Sequence, residues 1–507
     1  MAEKVHHDHR EPSLSSDDPT TAHYDNEKHI NDQPHIAGVH QDSSLVASKA
    51  EEDAVFRKLD WHLLPFVFIL YSLSVLDRSN LGNARLAGLE ERINLTGWRY
   101  NWLGTIFYIA YILFQWLLMG WKRFPAHIYC AIAVFGWGVI ATVQAGVTGW
   151  GSLMACRFLL GIFEAMFGPG VPLYLSFFYP RDKVGFRHGV FISGAAMANA
   201  YGGALAYGIS QIKSSHIEPW QILFIIEGLP TCCIAFVAFY VLPDSLSKAK
   251  FLSDREKQIA AAAIARNQVA DPDRATGFQY KHVLAALKDP KSYIPGVMYF
   301  SCNVSFASLP LFVPTIISQM GAFTKIQSNG LSAPPYVLCF FMILLLTWLS
   351  DRFNKRAPFI IFASLVAAIG FIMQATCTGV VPRYVGVFLS VQVFCCVALT
   401  LAWVSNIHST ESKRAGGMTV LATLGQFGPL LGTNVFPASE KPFYRKGMWI
   451  SAAFCLLITF CSALLATILI FQNRKMEKSG VIPRKGEAQD GLRDRGADGV
   501  PKYRYIW

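Results

Sequence analysis

LDWHLLPFVFILYSLSVLDRSNLGNARLAGL, residues 59–89, decides how this chain is read. From Trp61 an apolar run extends to Leu76, and Asp77 and Arg78 then stand side by side at its end. Such a pair has two readings. Either the helix has reached water, or both groups line an aqueous cavity inside a membrane-embedded bundle. The rest of the chain decides between them.

Of the 507 residues, 52% are hydrophobic and 16% charged, whereas soluble domains carry about 25% charged residues. Apolar runs long enough to cross a hydrocarbon core of about 30 Å recur throughout. The composition therefore specifies an all-α, polytopic membrane protein. Twelve spans are expected, near 61–82, 100–120, 126–146, 152–177, 188–212, 220–242, 292–317, 331–350, 358–378, 383–406, 416–438 and 447–472. The first 60 residues are polar, rich in His, Asp and Ser, and lack the apolar segment of a secretory signal, so they are expected to be a disordered tail. Metal binding by its histidines ranks far below that reading. The eleven cysteines lie in or beside apolar runs without zinc or redox spacing and read as small packing residues. No cofactor or metal is expected. The net charge of +11 sits in loops and the C-terminal tail, where it serves topology and anionic lipid rather than nucleic acid.

The longest polar stretch between spans, 243–291, divides them six and six. Good helix formers after Leu252, with Ser253-Asp254 as a start signal, predict a short surface helix there. Expected units are thus an N-tail (1–60), a first six-helix bundle (61–242), a linker (243–291), a second bundle (292–472) and a C-tail (473–507). Arg57 and Lys58, the basic linker and the C-tail favour cytoplasmic termini. Asn94-Leu95-Thr96 would then face outward as a glycan acceptor.

The halves echo each other. GWKRFP (120–125) after span two matches LSDRFNKRAP (349–358) after span eight, and YPRDKVGFRHG (179–189) after span four matches STESKRAGG (409–417) after span ten. Two pseudo-symmetric six-helix bundles with a site between them near the midplane are the architecture of a secondary transporter.

An ionisable residue deep in a span costs about 2.5–3.5 kcal/mol on insertion scales, which marks it as functional by default. Few survive that filter: Asp77, Arg78, Arg157, Glu164 and, as a lesser candidate, Glu227. Arg157 and Glu164, two helical turns apart, share one face of span four. Antiparallel to it, span one places Asp77 at the depth of Arg157, so an Asp77–Arg157 ion pair is expected, either as a static bridge or as part of a proton switch. Glu164, with no cation beside it in sequence, is the other coupling carboxylate. Arg78 offers a planar fork for a carboxylate cargo. Asn199 and Tyr201 in span five, Asn303 in span seven, and Trp403 and Asn406 in span ten are candidate cargo contacts, each weighed against a plain packing role. Lys122, Arg123, Asp351, Arg352 and Arg356 are candidate gate residues.

LDRSNLGNARLAGL (76–89), RFLLGIFEAMFGPG (157–170), LPDSLSKAKFLSDRE (242–256), SDRFNKRAP (350–358) and ESKRAGG (411–417) resemble the anion:cation symporter family of the major facilitator superfamily, nearest its fungal allantoate, nicotinate and pantothenate permease branch. YRYIW (503–507) fits that branch too. The resemblance covers about residues 55–475. It implies proton coupling and anion binding at Asp77, Arg78 and Glu164, with Arg157 as the matching span-four arginine. Two departures stand out. Residues 120–125 lack the acidic member of the superfamily's gating motif, so the gate is expected to lean on Asp351 and Arg352; and span seven holds no Arg, which suits a monocarboxylate. The function expected is proton-coupled symport of a small organic anion by alternating access, by a monomer in the plasma membrane. Export of an acidic metabolite and a non-transporting sensor of the same fold are the alternatives. The absence of a G-x-x-x-x-G-K-[ST] loop or a nucleophile–base cluster argues against a pump or an enzyme.

Overall fold

The computed structural model describes residues 48–180, 183–212, 216–268, 280–321, 323–404, 406–407, 411–479, 493–495, 501–503 and 505–506. The histidine-rich stretch before residue 48 lies outside them. The described residues are almost entirely helical, and helices occupy all twelve expected spans. Among the described residues, nine are long and apolar enough to cross a membrane by length and composition alone. The other three depart from a plain apolar rod for visible reasons. Span two is helical over Arg99–Leu113 and then tightens into a 3-10 turn, Gln115–Met119. Span five, Val184–Ile209, is built largely of Gly and Ala. Span eleven is broken into Glu411–Gly425 and Gly428–Gly432.

Span one is longer than expected. It begins at Lys49, inside the stretch expected to be a disordered tail, because Ser48 and Glu51 form a reciprocal capping box. The extension is held by charge: Arg187 forks both oxygens of Asp60 at 2.8 and 2.7 Å, and Lys183 donates to Asp53 at 2.7 Å. The linker helix, Asp254–Gln268, packs beside it, with Lys58 paired to Glu256 at 2.8 Å. Ser253 and Glu256 cap that helix reciprocally. A second linker helix, Tyr280–Lys288, was not expected. We call this side of the molecule the linker face.

Spans seven (Pro290–Ser318) and ten (Val380–Val404) are central: 83% of the apolar window of each is buried. Spans six (Pro219–Val241) and twelve (Arg445–Lys478) bury only 39% of theirs and turn Phe236, Tyr240, Phe460 and Phe471 outward, as lipid-facing helices do. Span seven carries Pro295, Pro310 and Pro314. Because Pro314 has no N–H for the carbonyl of Pro310, that oxygen is left over. Gly82 of span one meets it: a Cβ there would lie 2.7 Å from the Pro310 oxygen, so only glycine lets the two spans cross this closely.

The tail expected after residue 472 is also partly ordered. Span twelve runs on to Lys478, Arg493–Arg495 pairs antiparallel with Pro501–Tyr503, and the next residues dock on the linker face. Asn473 exchanges hydrogen bonds with the Tyr505 backbone at 2.8 and 3.0 Å.

Candidate functional site

Arg78 is the centre of the site. Span one presents it toward span four, where it forms a buried ion pair with Glu164. Ser74, one turn earlier on span one, donates to the same Glu164 oxygen at 2.9 Å and accepts from Arg78 at 3.2 Å. The guanidinium also lies over the rings of Phe107 and Tyr111 of span two, 5.3 and 5.1 Å from their centroids. Each such cation–π contact adds about 0.5–2 kcal/mol. Taking one partner from a buried ion pair costs about 3–5 kcal/mol, because the other charge is stranded. The pair is therefore the stronger restraint, and Arg78 can leave Glu164 only when another anion takes its place or Glu164 loses its charge.

Beside this pair lies a cavity lined by Arg78, Ser79, Phe107, Tyr108 and Arg157 from the first half and by Phe306 and Pro310 from the second. Its volume, about 20 Å³, admits a water-sized molecule and no organic anion. The two halves touch on either side of it. On the face opposite the linker, Asn101 donates to the Thr433 carbonyl at 2.8 Å, the hydroxyls of Thr105 and Thr433 meet at 2.8 Å, and Tyr100 donates to the Leu311 carbonyl at 2.9 Å. On the linker face, Arg356 pairs with Asp351 at 2.5 Å, and Gly185 of span five sits so close that an added Cβ would be 2.7 Å from Asp351. Gly189 sits as closely on Thr347.

The expected Asp77–Arg157 ion pair does not form. Among the described residues, Arg157 donates from Nη1 to the backbone carbonyl of Asp77 at 3.1 Å, while its Nε and Nη2 and the Oδ2 of Asp77 have no hydrogen-bond partner. The two residues lie at one depth, as expected, but the Asp77 side chain turns away. Glu164, which has no cation beside it in sequence, has one across the bundle in Arg78.

Of the expected cargo contacts, only Arg78 lines the cavity. Asn199 donates to the Ala195 carbonyl of its own helix at 2.7 Å. Asn303 ties span seven to the Gly425 carbonyl of span eleven at 3.0 Å. Trp403 is buried with its indole N–H on the Ile506 carbonyl at 2.9 Å, so the tail occupies it. Asn406 is buried near the end of span ten. Tyr201 is half-buried against the apolar core. At the expected gate, Arg352 lies over the Trp348 ring at 5.3 Å and Arg123 is exposed; the side chain of Lys122 lies outside the described part. Asn94 is exposed in a left-handed turn.

Sequence reading missed Ser74, Phe107 and Tyr111 around Arg78, and the pairs Asp60–Arg187 and Asp53–Lys183 on the linker face. The i, i+4 spacing of Ser74 and Arg78 was a usable signal for the first group. The second group answers the acid missing from residues 120–125: first-half carboxylates on the linker face come from the span-one extension.

Comparison with known proteins agrees with this architecture. The family profile of the Major Facilitator Superfamily matches residues 67–433. The chain is 32% identical over 466 residues to the high-affinity nicotinic acid transporter of Saccharomyces cerevisiae, covering 90% of this chain and 85% of the relative. It is 32% identical over 443 residues to the major facilitator-type transporter hxnP of Emericella nidulans, covering 85% and 88%. Among solved structures, the xylose transporter XylE from E. coli in a partially occluded inward open conformation superposes with a TM-score of 0.57 at 16% identity, over 79% of this chain and 96% of that one. A bacterial homologue of the human lysosomal transporter Spinster gives 0.58 at 15% identity, over 83% and 97%. Twelve helical spans in two halves, a charged cluster inside the first half and these relatives together establish that the chain is a multi-pass membrane transporter, not an enzyme, and belongs to the major facilitator superfamily.

Proposed function

We propose that the protein is a proton-coupled symporter of a small monocarboxylate, with nicotinate the first cargo to test. The observation that carries this reading is the buried Arg78–Glu164 pair at the cavity between the halves. Arg78 stays protonated at every physiological pH and can fork one carboxylate. While Glu164 is charged it occupies that fork. A proton on Glu164 removes its claim on Arg78, and the cargo carboxylate takes the place. Proton and anion are thereby bound together, which is the requirement of symport. The aromatic rings of Phe107, Tyr108 and Tyr111 beside Arg78 suit a flat, partly apolar anion. The named substrate of the yeast relative is of that kind.

In this reading the halves, 61–242 and 292–472, rock about the site while the 243–291 linker joins them. Opening one face breaks the Asn101 and Thr105 contacts with Thr433; opening the other parts Gly185 and Gly189 from the Asp351–Arg356 pair and Thr347. The protein works as a monomer in the plasma membrane, with both termini and the linker face cytoplasmic and Asn94 available to a glycan outside.

Purified protein in proteoliposomes tests the coupling. Labelled nicotinate should accumulate when an inward proton gradient is imposed, and Glu164→Gln should abolish accumulation while leaving nicotinate counterflow within about threefold of the parent. Uptake indifferent to the gradient sinks the proton coupling, and equal loss of accumulation and counterflow makes Glu164 structural.

A further inference from the structure

On the face opposite the linker, the second half gathers cations without a matching acid. Arg383, in the first turn of span ten, is 2% exposed, and its Nε has no hydrogen-bond partner among the described residues. Its Nη2 donates to the Pro442 carbonyl at 3.1 Å, and its guanidinium carbon lies 4.8 Å from the centroid of the Phe443 ring. Arg445, the exposed first residue of span twelve, lies over the same ring at 5.3 Å. Among the described residues, neither guanidinium has a carboxylate within ion-pair distance. The one acid of residues 437–446, Glu440, is engaged elsewhere. It accepts from the Lys446 backbone N–H at 3.1 Å and pairs with the Lys446 side chain at 3.7 Å.

Two like charges set on one ring repel, and a buried charge is costly unless it is answered by an opposite one. A ring face offsets part of that cost but carries no net charge. Such a group attracts an anion, and the planar forks of two arginines match a carboxylate.

The position of the group gives that attraction a use. Tyr444, next to Phe443, is buried, and its ring meets Phe436 with centroids 5.9 Å apart. Phe436 meets Phe312 at 5.3 Å, and Phe312 meets Tyr100 at 5.7 Å. Tyr100 donates to the Leu311 carbonyl, and Leu311 lines the cavity beside Arg78. A continuous aromatic column thus runs from the two arginines to the cavity, along a seam where the halves meet.

We propose that Arg383 and Arg445, set around Phe443, form an outer anion site that captures the cargo carboxylate before it reaches Arg78. The inference rests on the symport reading above and adds a step ahead of it. When this face opens, Tyr100 parts from Leu311 and the aromatic column becomes one wall of the entry path. The arginines hold the charge of a flat, partly apolar anion, and the rings accept its body on the way in.

Two experiments test the site. In the first, uptake of labelled nicotinate into phosphatidylcholine proteoliposomes is measured at low salt under a fixed proton gradient. Arg445→Lys should keep the parent KM, Arg445→Gln should raise it, and Arg445→Glu should raise it about fivefold, with the maximal rate nearly unchanged. The values should converge at high salt, which screens steering but would not repair a lost packing contact. Arg383→Gln should raise KM in the same sense, and Arg383→Lys should restore most of it. A KM that ignores the charge at position 445 overturns the proposal, whereas uptake that ignores the proton gradient defeats the symport reading instead. A charge ranking that appears only when anionic lipid is added assigns the arginines to a lipid phosphate and also overturns cargo capture. In the second, saturation-transfer NMR of nicotinate is recorded on purified Arg78→Ala protein, which lacks the inner fork. Signal should persist there and vanish when Arg383→Gln and Arg445→Glu are added. No signal on the Arg78→Ala protein, or one indifferent to the added substitutions, overturns the outer site.

Discussion

Arg78 combines a charge, a fork and a flat stacking surface, and the site uses all three. Its ion pair with Glu164, its hydrogen bond to Ser74 and its place over Phe107 and Tyr111 require a planar guanidinium. Arg78→Lys keeps the charge but loses the fork and the stacking. A tenfold or larger rise in nicotinate KM is expected, equivalent to about 1.4 kcal/mol, with the protein still inserted and folded. Uptake kinetics check this, and an unchanged KM would mean that the cargo does not bind at Arg78. At this scale the sequence picked out ionisable residues that the fold buries, but not their partners. Counting residues along two antiparallel spans gives depth, and Asp77 and Arg157 do share a depth. Counting does not say which way each side chain points. Successive helical residues are rotated by about 100°, so Arg78 reaches Glu164 of span four while Asp77, one residue earlier, does not pair with Arg157.

Individual helices show what caps and breaks accomplish. Asp244, in the Leu-Pro-Asp segment after span six, accepts from the backbone N–H of His127 at 3.2 Å and from its ring at 2.6 Å, and so caps the start of span three. Burial raises the Asp244 carboxyl, but these hydrogen bonds and that from Lys248 outweigh it and hold the group below its usual range. A folded-state pKa below the unfolded one contributes stability above the unfolded value, near 3.9, and that contribution is lost as pH falls through the folded value. The cap is therefore intact at neutral pH and fails only in strong acid. Asp244→Asn can still accept the backbone bond but surrenders the charge toward His127; Asp244→Ala removes both and should destabilise by about 1 kcal/mol. Thermal unfolding in detergent at pH 7 should rank parent, Asn and Ala in that order, and an Ala variant as stable as the parent would show that the cap carries no load. Most helices were legible because runs of about 20 apolar residues have no other stable form in a bilayer. The extension of span one over residues 49–60 was misread because a polar, charged stretch looks disordered until its partners are known. Here Asp53 and Asp60 meet Lys183 and Arg187, which lie far away in sequence.

The two halves touch on both faces in this state. The seals are small and polar: two threonines and an asparagine on one face, an ion pair against glycine on the other. Such contacts, each worth about 0.5–1.5 kcal/mol for neutral hydrogen bonds, can be broken and remade in every cycle, which large apolar interfaces cannot. Cysteines placed at Thr105 and Thr433, whose hydroxyls are 2.8 Å apart, should form a disulfide that stops nicotinate counterflow and is reversed by reductant. Counterflow that continues through the oxidised form would show that this face does not open during transport.

Sequence by itself determined the membrane setting, the twelve spans, their division six and six, and four of the buried ionisable residues, Asp77, Arg157, Glu164 and Glu227. Those follow from local quantities: hydropathy, length, and the cost of a charge in hydrocarbon. Tertiary structure alone decided that Arg78 belongs to Glu164, that Arg157 meets the backbone rather than the carboxylate of Asp77, that Trp403 is held by the tail, and that span one begins a dozen residues early. The physical reason is the same in each case. Depth and polarity are properties of one helix, whereas a pairing depends on the rotation and spacing of at least two.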